Sequence, residues 1–289
     1  MASLAQWVAG ARPRTLPAAV APVVVGTAAA AAEDTAQLGL AVLALVVAVS
    51  LQIGVNYAND YSDGIRGTDE DRVGPVRLVG QRIANPDNVK LMAFLWFGVG
   101  AFAGLALVAL AQTWLLIPLG ALAVVAAWRY TGGDNPYGYR SLGEVYVFLF
   151  FGLLATLGTE YTQANAISLV GVLGAIAVGC LASAILVANN LRDIPSDTVA
   201  GKQTLAVRLG DATTRRLYLG LFVVAAAATG LMAFWYPLAP VALVGLLLAA
   251  PGLKAVLSGA TGKALVPAIA TTGIAELVWA LLLVYPLAR

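Results

Sequence analysis

Two stretches of this sequence carry carboxylates and amides at helical spacing. The first, NYANDYSDGIRGTDED at residues 56–71, places Asn56, Asn59 and Asp63 three and four residues apart, so that a helix turns them to one face. Asp60 points elsewhere on such a helix. Oxygen ligands grouped in this way suit Mg²⁺, which usually keeps waters and binds through one or two carboxylates together with substrate phosphate oxygens. The first motif therefore predicts magnesium and phosphate chemistry.

The second stretch, NNLRDIPSDTVAGKQTLAVRLG at residues 189–210, repeats the pattern. Asp193 and Asp197 are again four residues apart, with two asparagines one turn earlier. Pro195 disfavours helical geometry at the residue before it, which weakens the expectation of a shared face. The Gly201-Lys202 step offers an ammonium for a phosphate, although the GxxxxGK[ST] pattern of a Walker loop is absent.

Other polar residues each allow two interpretations. Four cations are interpreted either as ligands of a diphosphate or only as determinants of the membrane topology: Arg66, Arg77, Lys202 and Arg208. Arg12 and Arg14 either hold a carboxylate near the mouth of the bundle or only anchor the first span. Three tyrosines line an aromatic or carbocation pocket or belong to the membrane interface: Tyr57, Tyr61 and Tyr139. Glu276 lies within an apolar run and is functional or pairs with a neighbouring helix. The acids at 69–71 are expected to be solvated.

The composition excludes several classes of function. Hydrophobic residues make up 60% of the 289 residues and charged residues 11%, against roughly 25% charged in a soluble domain. The sequence has no histidine, which removes the commonest general base and metal ligand. The single Cys180 permits no internal disulfide and is expected to be a small buried hydrophobe. A net charge of +2 does not indicate a nucleic-acid partner.

Nine apolar runs alternate with these polar stretches and predict an all-α integral membrane protein with about nine transmembrane helices in a single domain, residues 1–289. The runs are Leu16–Ala32, Leu38–Val55, Leu91–Ala111, Trp114–Trp128, Val145–Gly158, Ile167–Ala188, Leu217–Trp235, Leu238–Leu257 and Ala264–Leu287. The long connections after the second and sixth runs predict cytoplasmic cap loops near 59–90 and 189–216.

The distribution of basic residues predicts the orientation, because cytoplasmic loops carry an excess of Lys and Arg. With alternate connections on one side, 16 of the 17 basic residues fall on that side and only Arg289 falls on the other. This predicts a cytoplasmic N-terminus and an external C-terminus. It also contradicts an interpretation of the first run as a signal peptide, which would invert every later helix.

The motifs resemble the UbiA superfamily of intramembrane aromatic prenyltransferases. NDYSD is similar to the first acidic motif of that superfamily, and RDIPSDTVAGKQTLAVRLG is similar to its second. RPRTLPAAVAPVVVG, GPVRLVG and LGEVYVFLFFG resemble the branch that prenylates 1,4-dihydroxy-2-naphthoate. The resemblance covers essentially the whole chain.

This resemblance implies a helical bundle enclosing a cavity, in which Mg²⁺ ions hold a polyprenyl diphosphate and an aromatic acid is the acceptor. The implied metal ligands are Asn59, Asp63, Asp193 and Asp197, and the implied catalytic acids are Asp60, Asp63, Asp193 and Asp197. The expected substrate-binding residues are Arg12, Arg14, Asn56, Tyr61, Arg66, Arg77, Tyr139, Arg140, Asn189, Arg192 and Lys202. The implied location is the cell (inner or plasma) membrane, and the implied pathway is menaquinone biosynthesis.

The sequence departs from the superfamily at one position. Many relatives continue the first motif with another acid four residues after the position of Asp63, where this chain has Gly67, and the next acid is Asp69. Alternatives remain open at this stage: another acceptor such as 4-hydroxybenzoate, a CDP-alcohol phosphotransferase suggested by Asp60-Tyr61-Ser62-Asp63-Gly64, and a secondary transporter. The prenyl chain length and the oligomeric state do not follow from the sequence.

Overall fold

The computed structural model describes residues 2–67 and 76–289, and the regular elements of this part of the chain are helices joined by loops and turns. The long apolar runs each form a helix because backbone groups in a bilayer must be satisfied within their own segment. We number the helices α1 Leu4–Gly10, α2 Pro17–Ala32, α3 Leu38–Ile65, α4 Pro86–Ala111, α5 Leu116–Arg129, α6 Gly143–Ala164, α7 Leu169–Val199, α8 Leu205–Phe234, α9 Ala239–Leu257 and α10 Gly262–Leu287.

Within the described residues, seven helices are long and apolar enough to cross a membrane, and the bent pair formed by Leu4–Thr15 and α2 makes an eighth. The remaining predicted span corresponds to α5, which has 14 residues and is shorter than a helix that crosses the hydrocarbon core. The prediction of an all-α, multi-pass membrane protein is confirmed, and the predicted count of about nine is close to the observed one.

Helices α3 and α7, like α8, extend well beyond the apolar runs that predicted them. Helix α3 has 28 residues and α7 has 31, so at 1.5 Å per residue they extend over about 42 and 46 Å, beyond a hydrocarbon core of roughly 30 Å. The acidic motifs occupy these extra turns: residues 59–65 and 189–199, which were assigned to cap loops, are helical.

Helix α7 continues through Pro195, contrary to the expectation of a break there. The hydroxyl of Ser196 donates to the carbonyl oxygen of Asp193 (3.0 Å), and that of Thr198 donates to the carbonyl oxygen of Ile194 (2.7 Å). Pro195 lacks the N–H that would donate to the Leu191 carbonyl oxygen, so the helix continues without that one backbone bond, and these two hydroxyls add side-chain bonds on the same turn. Asp193 and Asp197 are therefore one turn apart on a continuous helix.

The N-terminal segment bends by 49° between Leu4–Thr15 and α2 and lies against α3. The Asn56 amide donates to the Ala11 carbonyl oxygen (2.8 Å) and to the Thr15 hydroxyl (3.0 Å). The Tyr57 hydroxyl donates to the Trp7 carbonyl oxygen (2.7 Å). These bonds hold the segment that carries Arg12 over the end of α3.

Helices α6 and α7 approach each other closely through paired glycines. A Cβ added at Gly152 would lie 2.5 Å from the Gly179 Cα, so neither chain could come this near with larger residues. Residues Phe148–Ala155 of α6 are π-helical, a geometry that often occurs at functional sites. This close packing fixes the wall on which α6 and α7 present side chains to the bundle interior.

Candidate active site

A cavity of about 560 Å³ lies inside the bundle, with walls from α2 to α7. Most of its lining is apolar, and polar side chains gather where α3, α7 and the adjoining loops meet. The polar residues of this group are Arg12, Thr15, Gln52, Asn56, Asn59, Asp63, Arg77, Thr131, Asn189, Asn190, Asp197, Lys202 and Thr204. The two acidic motifs, far apart in the sequence, therefore line one cavity.

Asp63 is the centre of the polar group. Its side chain is buried, and Oδ1 accepts hydrogen bonds from the Tyr139 hydroxyl (2.5 Å) and the Lys202 ammonium (3.2 Å). The same ammonium lies 4.6 Å from the centroid of the Tyr139 ring. The backbone N–H of Lys202 donates to the Asp197 carbonyl oxygen (2.8 Å), so this lysine connects the second motif to the first.

The other polar residues of α3 have separate environments. Asn59 lines the cavity, and its Oδ1 accepts from the Thr131 hydroxyl (2.7 Å). Asn56 also lines the cavity, where its amide holds the N-terminal segment. Asp60 is 1% exposed and is not among the described residues that line the cavity; its two oxygens accept from the backbone N–H groups of Leu78 (2.7 Å) and Val79 (3.1 Å). A catalytic role for Asp60 stays a prediction, and its placement favours an anchoring role.

The second motif divides between the cavity and a buried ion pair. Asn189 and Asp197 line the cavity, whereas Asp193 is not among its described lining residues. Asp193 forms a two-pronged pair with Arg192, Nε to Oδ1 and Nη2 to Oδ2, both at 2.7 Å. Arg192 also donates to Asn189 Oδ1 (2.9 Å). This placement leaves Asp197 as the acid of the motif nearest to a bound ligand.

The structure separates the predicted cations. Arg12, Arg77 and Lys202 line the cavity, and the last two are about 5% exposed. Arg192 is buried but not among the described lining residues, and four other predicted cations are exposed and outside that lining: Arg14, Arg66, Arg140 and Arg208. Arg66 donates to the carbonyl oxygens of Thr131 and Gly133. Arg12 and Arg14 therefore differ, although both belong to one short basic stretch.

The predicted tyrosines also separate. Tyr139 lines the cavity, whereas Tyr57 and Tyr61 are not among its described lining residues. Tyr61 stacks on Trp128 with ring centroids 6.2 Å apart, under the Lys90 ammonium. The predicted substrate contact of Tyr61 is therefore not favoured by its position.

An aromatic ladder, which sequence reasoning missed, covers one wall of the cavity. It consists of Tyr130, Tyr137, Tyr146 and Phe150, all of which line the cavity. Successive ring centroids are 5.5, 3.9 and 5.9 Å apart. Burial raises the pKa of Tyr137 above its ordinary value. The available signal was a concentration of four tyrosines between residues 130 and 146.

The donor set of the cavity fits Mg²⁺ that is shared with a substrate. Two carboxylates, Asp63 and Asp197, line the cavity from different helices, with amide oxygens beside them. Among the described residues, no group of three or more acids, cysteines or histidines could hold a metal by itself. Mg²⁺ commonly binds through one or two carboxylates plus phosphate oxygens and waters, so this set becomes sufficient when a diphosphate is present.

Two further predictions concern the acids that follow the first motif and Glu276. Asp69, Glu70 and Asp71 lie outside the described residues, as do Gly74 and Pro75 of the GPVRLVG stretch. Glu276 is fully buried in α10, and neither carboxylate oxygen has a hydrogen-bond partner among the described residues, so the expected pairing with a neighbouring helix is not observed.

Comparison with known proteins identifies the chain. Residues 19–261 match the model of the UbiA prenyltransferase family, and both acidic motifs lie within this range. The chain belongs to this family. A 1,4-dihydroxy-2-naphthoate octaprenyltransferase of Mycobacterium tuberculosis is 57% identical over 281 residues, which are 97% of this chain and 96% of that protein. The enzyme of the same name from Escherichia coli is 42% identical, over 75% of this chain and 72% of that one.

Solved UbiA structures share the fold. A UbiA homolog from Archaeoglobus fulgidus, solved with GPP and Mg²⁺, aligns with a TM-score of 0.69 at 14% identity, over 98% of this chain and 99% of that one. A UbiA homolog from Aeropyrum pernix aligns with a TM-score of 0.68 at 17% identity, over 89% of this chain and 94% of that one. The predicted UbiA-like helical bundle is confirmed, and membership of the family favours the prenyltransferase prediction over the phosphotransferase and transporter alternatives.

Proposed function

We propose that this UbiA family member transfers a polyprenyl group from polyprenyl diphosphate to 1,4-dihydroxy-2-naphthoate, in a Mg²⁺-dependent reaction of menaquinone biosynthesis. The observation that carries the proposal is the apolar cavity with Asp63, Asp197, Lys202 and Arg77 gathered at its polar side. A prenyl diphosphate has the matching shape, with an apolar tail and an anionic head. The names of the relatives from M. tuberculosis and E. coli support the naphthoate as acceptor.

The cationic side chains of the cavity are suited to a diphosphate. Lys202 and Arg77 are buried, and a buried cation attracts an anion more strongly than an exposed one. As the carbon–oxygen bond of the prenyl diphosphate breaks, its electron pair leaves with the diphosphate, and these cations stabilise the charge that develops. Bound Mg²⁺ supplies further charge neutralisation at the diphosphate oxygens, with Asp63, Asp197 and Asn59 as the proposed ligands.

The remaining walls protect the allylic cation. Apolar side chains of α3, α4 and α6 exclude water, which would otherwise capture it. The faces of the aromatic ladder offer negative quadrupoles to a nearby positive charge. The ring carbon that bears the carboxylate then bonds to the prenyl carbon, the bond to the carboxyl group breaks, and its electron pair returns to the ring as CO₂ leaves. The product is a prenylated naphthohydroquinone, the reduced form of demethylmenaquinone.

We further infer that the protein lies in the cell membrane with the acidic motifs on the cytoplasmic side. The one-sided distribution of basic residues supports this orientation. The diphosphate head group and the anionic naphthoate would then meet the polar side of the cavity at the cytoplasmic face, while the prenyl tail enters the apolar part from the membrane.

A labelled acceptor tests the proposed function. Detergent-purified protein is supplied with polyprenyl diphosphate, Mg²⁺ and carboxyl-labelled 1,4-dihydroxy-2-naphthoate, and one labelled CO₂ is expected for each prenyl group transferred. The Asp197→Asn variant serves as the control for background decarboxylation. Faster prenylation of 4-hydroxybenzoate or homogentisate, or a prenylated product that retains the label, would contradict the assignment of the acceptor.

A further inference from the structure

Glu144, a buried carboxylate outside the acidic motifs, is hydrogen-bonded to a residue that lines the cavity. Glu144 is the second residue of α6 and is 7% exposed. Asn190 of α7 donates from Nδ2 to Glu144 Oε1 (2.9 Å), and the Ser183 hydroxyl donates to the Glu144 carbonyl oxygen (3.2 Å). These bonds tie the start of α6 to two positions of α7 that are seven residues, or about two turns, apart.

Only one of the two oxygens of the Glu144 carboxylate accepts a hydrogen bond from the described part of the chain. Its Oε2 is buried and has no hydrogen-bond partner among the described residues. A buried polar atom without a partner costs free energy, so a purely structural contact would favour a fully bonded carboxylate. Asp60 is such a case, because both of its oxygens accept backbone N–H groups. Glu160, on the same helix as Glu144, is bonded equally incompletely, so the feature that distinguishes Glu144 is its bond to Asn190, a residue that lines the cavity.

The contact with Glu144 determines which end of the Asn190 amide is available to a ligand. Glu144 Oε1 accepts from the Nδ2 end of the amide, so this contact uses the donor end of Asn190. The opposite amide orientation would place two acceptor oxygens together. Asn190 lines the cavity, and no group in the described part of the chain donates to its Oδ1. Oδ1 is thus the polar atom that Asn190 can offer to a molecule in the cavity.

Asn190 lies deeper along α7 than the acids of the second motif, close to the aromatic ladder. It precedes Asp197 by seven residues on a continuous helix, so the two share a face and are separated by about 10 Å along its axis. The aromatic ladder reaches the same wall, because a Cβ added at Gly143 would lie 3.4 Å from Cε2 of Tyr130. A flat ring at this level could contact the ladder while a hydroxyl on its edge meets Asn190.

We infer that Glu144 is a positioning residue, which orients Asn190 so that its Oδ1 accepts a hydrogen bond from a ring hydroxyl of the aromatic acceptor. This inference deepens the proposed function and rests on it. The bond selects acceptors that carry a hydroxyl, because an analogue without one leaves the Asn190 oxygen unbonded. It also fixes the rotation of the ring, which decides which ring carbon faces the prenyl cation.

The Glu144→Gln variant of the purified full-length chain tests this role. Glutamine donates as well as accepts, so it no longer imposes one orientation on the Asn190 amide. We expect kcat/KM for the naphthoate acceptor to fall about tenfold or more, a loss comparable to one buried hydrogen bond, while the KM for prenyl diphosphate changes less than about twofold. Asn190→Ala is expected to give the same selective loss, and it removes the amide without altering the carboxylate.

Glu160→Gln is the matched control. Glu160 is also a buried carboxylate of α6 with one bonded oxygen, which accepts from the Ser168 backbone N–H (2.8 Å), but it is not among the described cavity-lining residues. We expect this variant to keep the wild-type KM for both substrates. Thermal unfolding in the same detergent measures the stability of each variant.

Discrimination against a methyl ether of the acceptor distinguishes a positioning role of Glu144 from a role in stability alone. We expect wild-type protein and Glu160→Gln to discriminate at least about tenfold against one of the two monomethyl ethers of the naphthoate, and Glu144→Gln to lose most of that discrimination. Equal loss for both substrates, or unchanged discrimination in Glu144→Gln and Asn190→Ala, would overturn the inference alone. A wild-type protein that prenylates no aromatic acceptor would overturn the proposed function as well.

Discussion

The Lys202 ammonium lies 3.2 Å from Oδ1 of Asp63, although 139 residues separate them in the sequence. Both side chains are buried and line the cavity. Burying two opposite charges costs less when they neutralise each other, and a cation held in this way is also placed to meet an anionic ligand. The contact thus joins the two acidic motifs into one polar surface before any substrate arrives.

Replacing Lys202 by methionine should weaken the use of prenyl diphosphate. The change keeps most of the length of the side chain but removes the ammonium, and losing one preorganised electrostatic contact typically costs about 10²-fold or more in rate. We expect kcat/KM for prenyl diphosphate to fall by about this factor in a steady-state assay. Arg208→Met is the matched control, because Arg208 is exposed and outside the described lining; equal losses in both variants would contradict the role of Lys202.

The acids of the cavity should act through Mg²⁺. Asp63→Asn and Asp197→Asn keep the shape of the side chain while removing a carboxylate, so each should lower kcat/KM by about 10³-fold and require more Mg²⁺ for half-maximal activity. EDTA should abolish turnover of the wild type. The exposed Asp87 provides the control variant Asp87→Asn, which should show the wild-type Mg²⁺ dependence. Near-normal activity of either cavity variant at ordinary Mg²⁺ would exclude that residue from the site.

The apolar spans and the acidic motifs could be predicted because both depend on local sequence. Hydropathy indicates a span wherever about 20 apolar residues occur together, and helical spacing indicated that Asn59 and Asp63 share a face. The continuation of α7 through Pro195 could not be predicted, because the conformational preference of the residue before a proline is a local rule, which the packing of this long, largely buried helix overrides. The apolar runs also stop at the first asparagine of each motif, Asn56 and Asn189, which explains why the ends of α3 and α7 were assigned to loops.

Tertiary contacts decide the rest of the candidate site. The partners of Asp60 lie 18 and 19 residues away in the sequence, so helical spacing excluded it from the metal-facing side but gave no reason for its burial. The aromatic ladder depends on how the loop before α6 folds onto that helix, which no periodicity encodes. Arg14 and Arg140 were selected for their charge, and only the packing reveals that both are exposed.

Asp60→Asn should reduce stability more than it reduces catalysis. Its carboxylate accepts two buried backbone N–H groups at Leu78 and Val79, and an amide offers only one accepting oxygen. One backbone donor would be left without its partner, at a cost of about 1–3 kcal/mol. Thermal unfolding in detergent should show a lower midpoint. An unchanged midpoint together with lost turnover would instead support the catalytic role predicted from the sequence.

The orientation can be tested by cysteine labelling in a Cys180→Ala background. Asp87 and Thr213 are exposed and follow the two long basic connections, so cysteines at both positions should react with an impermeant maleimide only after the cytoplasmic side is opened. Ala166→Cys, in the exposed connection between α6 and α7, should react from outside and serves as the control. Labelling of positions 87 and 213 from opposite sides would contradict the proposed topology.

Tyr137→Leu should slow the chemical step with little effect on diphosphate binding. The Tyr137 ring lies between Tyr130 and Tyr146 on the cavity wall, and leucine keeps an apolar contact there but removes the π face. A desolvated cation–π contact is worth about 1–2 kcal/mol, so kcat should fall by roughly tenfold while the KM for prenyl diphosphate stays within about twofold. Tyr137→Phe should remain near wild type, because it keeps the ring. Tyr61→Leu is the matched control, since that ring stacks on Trp128 outside the described lining, and an equal loss of kcat in it would show that the ladder has no specific role.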